Sequence, residues 1–131
     1  MKTNLLAIIL SAIAVLVWAC DKHVPPSIEY KTGSNYTSSD TTVAKGATLT
    51  VGIIAKKKED DMKTYNISYA YDGAQSTTTK QTFSLSGSDE KNYNKDYTFS
   101  VRNQAGTEEW SFVITDRDGN IAKLKLRITV E

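Results

Sequence analysis

One cysteine, one histidine and two prolines are all that a chain of 131 residues holds of these types. With Cys20 alone, no disulfide can close within the chain, so the fold must rest on apolar burial and sheet hydrogen bonds. A single histidine, His23, removes Ser-His-Asp and Cys-His catalysis together with multi-histidine zinc sites. No Gly-x-Ser-x-Gly and no Gly-rich phosphate loop entering a helix occurs. Glu108 and Glu109 are adjacent, and neighbours on a strand point to opposite faces, so they make a poor acid–base pair. An excess of either charge is also missing: 16 Lys and Arg stand against 15 Asp and Glu. That balance offers nothing to nucleic acid and no polybasic patch to an anionic membrane. The expectation is a protein that is not an enzyme and takes no cofactor. Sustained apolar spacing at i, i+3, i+4, i+7 is absent too, so helices are not expected.

What is present begins with one apolar run, Leu5 to Trp18, broken only by Ser11 and preceded by Lys2. It is short for a membrane-spanning helix, which needs about 20 residues, and suits the core of a secretory signal. Val17-Trp18-Ala19-Cys20 resembles the lipobox of bacterial lipoproteins. The resemblance implies cleavage after Ala19, acylation of Cys20 and attachment to a membrane through the N-terminal lipid. An ordinary secretory signal or an uncleaved anchor is the alternative. On the lipoprotein reading, residues 1–19 are signal peptide and 20–26 a lipidated tether, in which Pro25-Pro26 favours an extended spacer. Asp21-Lys22 is similar to the export signals of Bacteroidota-type lipoproteins, which implies an outer-membrane address with the surface and periplasmic faces both open.

From Ser27 onward the chain is rich in Thr, Ser, Asn and Tyr, with apolar residues at a period of two, the signature of half-buried strands. The expected strands are Ser27–Lys31, Tyr36–Val43 as a short edge, Ala47–Ala55, Lys63–Tyr71, Ser76–Ser86, one around Tyr97, Phe99 and Val101, one around Trp110, Phe112 and Ile114, and Ala122–Val130. In the last of these, Leu124, Leu126 and Ile128 alternate with Lys123, Lys125 and Arg127 and are expected to be buried. Lys45-Gly46, Asp72-Gly73, Asn103–Gly106 and Asp116–Asn120 read as turns. Lys56–Met62 and Gly87–Asn92 read as polar loops. Seven or eight such strands predict an all-β fold, an antiparallel β-sandwich over residues 27–131.

The stretch from Trp110 through Thr115-Asp116-Arg117-Asp118-Gly119-Asn120 to Val130 resembles the last hairpin of bacterial immunoglobulin-like domains. Lys45 to Val51 is similar to their second strand, entered through a Gly turn. The resemblance implies an immunoglobulin-like sandwich without the cysteine pair, in which the corner tyrosine falls at Trp110 or is replaced by Tyr97.

Few residues invite a functional reading. Asp116, Asp118 and Asn120 alternate in a way that can wrap calcium, but Gly119 and Arg127 stand where that pattern differs from an EF-hand, and a hairpin turn explains them. Metal is therefore expected to be none. Tyr65, Tyr69 and Tyr71 share a strand face with Ile67, which marks the face as core; exposed, the same rings would stack on sugars. Asp40-Thr41-Thr42 resembles an O-glycosylation motif of Bacteroidota, which implies modification at Thr41. The function expected is a non-catalytic binding or adhesion module of the cell envelope, whose partner is an envelope protein or a glycan. It would present Lys56–Met62, Asp72–Gln75 or Gly87–Asn92 from a monomeric soluble domain. A structural or assembly lipoprotein without a soluble ligand is the alternative.

Overall fold

The computed structural model describes residues 23–131; the apolar run, Cys20 and Asp21-Lys22 lie outside them. Eight strands follow in order: β1 (Ser27–Tyr30), β2 (Thr41–Val43), β3 (Thr48–Lys56), β4 (Met62–Tyr71), β5 (Thr78–Ser84), β6 (Asn92–Ser100), β7 (Gly106–Asp116) and β8 (Ile121–Val130). They form two sheets, one ordered β1-β3-β6 and the other β2-β8-β7-β4-β5. The chain is an immunoglobulin-like β-sandwich, and its core is the inner face of both sheets.

The period-two alternation is what places that core. Val51, Ile53 and Ala55 of β3 face Tyr65 and Ile67 of β4, Trp110, Phe112 and Ile114 of β7, and Leu126 and Ile128 of β8, all buried. Phe99 of the small sheet lies 3.9 Å, centroid to centroid, from Trp110 of the large one. Tyr30 meets Phe112 edge to face at 6.1 Å. Leu124, expected inside, is only half-buried, though it packs against the core. On the wet face of the small sheet, the hydroxyls of Thr50 and Thr98 pair at 2.8 Å, as expected for opposed Thr residues.

Four sequence expectations need correction. The sandwich is not wholly antiparallel, because β2 runs parallel to β8, with Thr41 opposite Ile128. The first part of the chain pairs with β3 and then switches sheets, so the predicted edge strand from Tyr36 shrinks to Thr41–Val43. Residues 31–37 stay against the small sheet: Thr37 N–H donates to Thr50 O at 2.8 Å, and Lys31 Nζ binds Asp96 at 2.5 Å over Gly52. A Cβ on Gly52 would meet the Lys31 side chain at 2.6 Å, which is why a glycine occupies this strand interior. The predicted strand Ser76–Ser86 is shorter, Thr78–Ser84, and carries an irregularity opposite Ile67/Ser68. The predicted loop Gly87–Asn92 is a 3-10 turn, Gly87–Glu90, that leads straight into β6 at Asn92.

Candidate functional site

The two poles of the sandwich differ in what they hold. Ser27 pairs with Lys56, so the chain enters at the pole that carries the β3–β4 loop. Lys57 N–H donates to Lys91 O, Arg117 N–H donates to Asp61 O, and the Arg117 guanidinium pairs with Glu90. Lys56–Met62, Gly87–Asn92 and Asp116–Asn120 therefore share this proximal pole. Of the three expected recognition segments, only Asp72–Gln75 lies at the opposite, distal pole.

At the proximal pole Asp116 is buried, and its carboxylate organises the hairpin turn. Oδ1 accepts the N–H groups of Asp118 at 3.0 Å and Asn120 at 2.8 Å, and Oδ2 accepts Asn120 Nδ2 at 3.0 Å. These three donors take most of the carboxylate's acceptor capacity. Gly119 takes φ 87°, the left-handed conformation that the turn requires. Burial, and then the facing Asp118, push the Asp60 carboxyl up. Among the described residues, no three His, Cys, Asp or Glu side chains group to hold a metal ion.

The distal pole is built from the β4–β5 and β6–β7 connections. Tyr71 O accepts Ala74 N–H at 2.9 Å, and Asp72 and Gly73 between them take φ 52° and 77°, a primed turn suited to Asp-Gly. Asp72 Oδ1 accepts the Arg102 guanidinium at 2.5 Å and Thr107 N–H at 2.9 Å. Those two hydrogen bonds, Arg102 first, hold the Asp72 carboxyl below the usual carboxylate range. Arg102 also lies over the Tyr71 ring at 4.5 Å. Behind it, Glu108 is fully buried and accepts Arg102 N–H and Trp110 Nε1–H, each at 2.8 Å. A Cβ on Gly106, at φ 145°, would strike the Arg102 guanidinium and Asp72, so only glycine fits beneath this clamp.

The clamp decides what the tyrosine face can do. Tyr65 is fully buried, with its ring stacked on Phe83, and Tyr69 lies against Trp110 and Tyr71. Tyr71 is 38% exposed, but Arg102 and Tyr69 pack against its ring. The face is core that reaches the rim, not an open stacking platform. Trp110 gives its indole N–H to Glu108, a buried pairing that sequence reasoning did not find. Glu108 and Glu109 do face opposite ways: Glu109 points out and pairs with Lys125 Nζ at 2.8 Å. Thr41 is half-buried on β2, while Thr42 beside it is exposed; Asp40 Oδ1 accepts Arg127 N–H at 2.8 Å.

On the outer face of the large sheet, next to the distal pole, lies a polar depression of about 260 Å³ lined by Gln75, Thr107, Glu109, Lys125 and Arg127. A second, of about 290 Å³, shares Glu109, Lys125 and Arg127 and reaches Asp40. A third depression, of about 390 Å³, holds Lys63, Glu90 and Arg117 at the proximal end.

No protein-family profile matches the chain. No curated protein matches it either. Among solved structures it is similar to a chitin binding domain from Burkholderia pseudomallei, with TM-score 0.51 and 8% identity over 72% of this chain and 58% of that one. CopC from Methylosinus trichosporium OB3b gives TM-score 0.43 and 16% identity over 80% and 94%. A non-cellulosomal cohesin from Archaeoglobus fulgidus gives TM-score 0.37 and 11% identity over 82% and 92%. At such identities the likeness shows the sandwich fold alone. The chain spans 58% of the length of the chitin binding domain.

Proposed function

We propose that the chain is a non-catalytic binding module of a bacterial envelope, held at the outer membrane by lipid on Cys20 and presenting its distal pole to a glycan or an envelope protein. The observation that carries this reading is the polarity of the sandwich. The tether enters beside Lys56, and the opposite pole is fixed by the Asp72–Arg102–Thr107 clamp. A rigid pole loses little entropy when it binds a partner, which is what a recognition surface needs. The buried carboxylate Glu108, the group best suited by chemistry to catalysis, spends its hydrogen bonds on Trp110 and Arg102. A chitin binding domain among the similar folds accords with binding by a sandwich of this shape. The acyl chains on Cys20 supply the anchoring, at about 0.8 kcal/mol per buried CH₂.

One observation favours a second reading, an assembly lipoprotein without a soluble ligand. The edge strand β5 pairs only with β4, and every residue of it except Phe83 is exposed. Such an edge can accept a strand from another chain.

Two measurements test these readings on the full chain in its host cell. Cys20→Ala should move the protein out of the detergent phase on temperature-induced separation; unchanged partitioning removes the anchor. A photo-crosslinking residue placed at Gln75, at Lys58 or at Thr82 separates the surfaces. Crosslinks at Gln75 support the distal pole, and crosslinks confined to Thr82 support strand addition.

A further inference from the structure

We infer that the polar trough on the outer face of the large sheet, beside the distal pole, is a binding site for a neutral glycan of one or two sugar rings. The inference rests on the binding-module reading and assigns it a place and a ligand. A row runs straight across the sheet: Ala70 of β4 faces Glu109 of β7, and Glu109 faces Arg127 of β8. Beyond Arg127 stands Asp40, whose Oδ1 already accepts Arg127 N–H. Register puts Glu109 directly opposite Arg127, yet its carboxylate goes to the diagonal neighbour Lys125 at 2.8 Å. Among the described residues the Arg127 guanidinium has no ion-pair partner and is exposed. Its planar fork of donors therefore faces the trough unspent.

The remaining groups suit hydroxyls. A hydroxyl both donates and accepts, so it is matched by acceptors and donors set side by side. The trough supplies acceptors at Glu109 and Asp40, donors at Lys125 and Arg127, and both at Gln75 and Thr107. Two carboxylates and two cations leave no net charge, which disfavours a polyanion or a strongly acidic peptide. Ala74 is small and exposed, above the buried Ala70, and gives the apolar face of a ring a place to lie. The two adjoining depressions, about 260 and 290 Å³, each fall just below the volumes typical of small-ligand sites, which suits one or two rings. The primed turn at Asp72-Gly73 and the Arg102 clamp hold Gln75 and Thr107 at one end of the trough.

The test titrates the full-length protein in detergent micelles with neutral hexose and N-acetylhexosamine oligosaccharides, uronic-acid oligomers and an acidic peptide, followed by amide NMR shifts. Neutral oligosaccharides should shift the amides of residues 73–75, 107–109 and 125–127. Arg127→Ala should weaken that binding about tenfold, the loss of one charge-assisted contact. Lys123→Ala, on the same strand outside the trough, should leave it within about twofold. Preference for the uronic-acid oligomers or the peptide overturns the inference, and so does the absence of any trough shift at millimolar sugar. If Gln75 crosslinks to an envelope protein in cells while no sugar binds, the trough inference fails and the binding-module reading stands. If neither occurs, both fail.

Discussion

Glu108 and Trp110 lie two residues apart on the inner face of β7, and the buried Glu108 carboxylate accepts the Trp110 indole N–H at 2.8 Å. The other carboxylate oxygen accepts the backbone N–H of Arg102. One acid thus satisfies a core aromatic and ties the β6–β7 turn to the strand that follows it. Glu108→Ala would leave two donors without an acceptor in a buried site. It should cost about 2–5 kcal/mol in urea denaturation. Glu108→Gln retains an acceptor oxygen and should cost less, about 1–2 kcal/mol. A loss below about 0.5 kcal/mol for the alanine variant would show that the network is not structural.

Leu126 and Lys125 test the facing of β8. Leu126 is fully buried and Lys125 is exposed. Leu126→Ala should cost about 2–5 kcal/mol. Lys125→Ala removes an ion pair between two well-exposed groups and should cost no more than about 1 kcal/mol. Equal costs would contradict the register.

Gly106 and Gly119 both have positive φ, at 145° and 87°, but differ in their surroundings. Around Gly119 a Cβ meets nothing within 4 Å, so Gly119→Ala bears only the backbone penalty, about 1 kcal/mol. At Gly106 the same Cβ displaces the Arg102–Asp72 pair. Gly106→Ala should cost more, about 1–3 kcal/mol, and should speed proteolysis at residues 103–105. If both variants melt together, the clamp contributes nothing to the distal pole.

Stability should fall at both ends of the pH scale for separate reasons. Asp72 and Asp96 have lowered values, through hydrogen bonds from Arg102 and Lys31 respectively. Their contribution is complete above the unfolded carboxylate value, about 3.9, and is lost as pH falls through the lower folded values. Asp72→Asn should flatten that acid limb. Tyr30 and Tyr65 are raised, mainly by burial. Their contribution is complete below the unfolded tyrosine value, about 10, and is lost as pH rises beyond it. Tyrosinate absorbance should therefore show these two ionising only with unfolding; reversible ionisation near pH 10 in the folded protein would refute their burial.

Period-two alternation is a local property, so the sequence alone determined the all-β class, the strands at Lys63–Tyr71 and Ala122–Val130, and the inward facing of Ile53, Phe112 and Leu126. The Asp-Gly and Asp-x-x-Gly-Asn turns were legible for the same reason, since positive φ is written in glycine and its neighbours. Other features depend on residues far apart in the chain. Asp40 meets Arg127, Asp72 meets Arg102, and β2 lies parallel to β8; no local pattern records those pairings. Glu108 looked like any acid in an alternating strand, and only its position between Trp110 and the Arg102 turn made it a buried acceptor. The placement of the three candidate loops at two opposite poles, and the trough shared by β4, β7 and β8, were likewise decided by the stacking of strands into sheets. A strand's sequence specifies which of its faces is apolar; which strand lies beside it is chosen by the packing of the whole core.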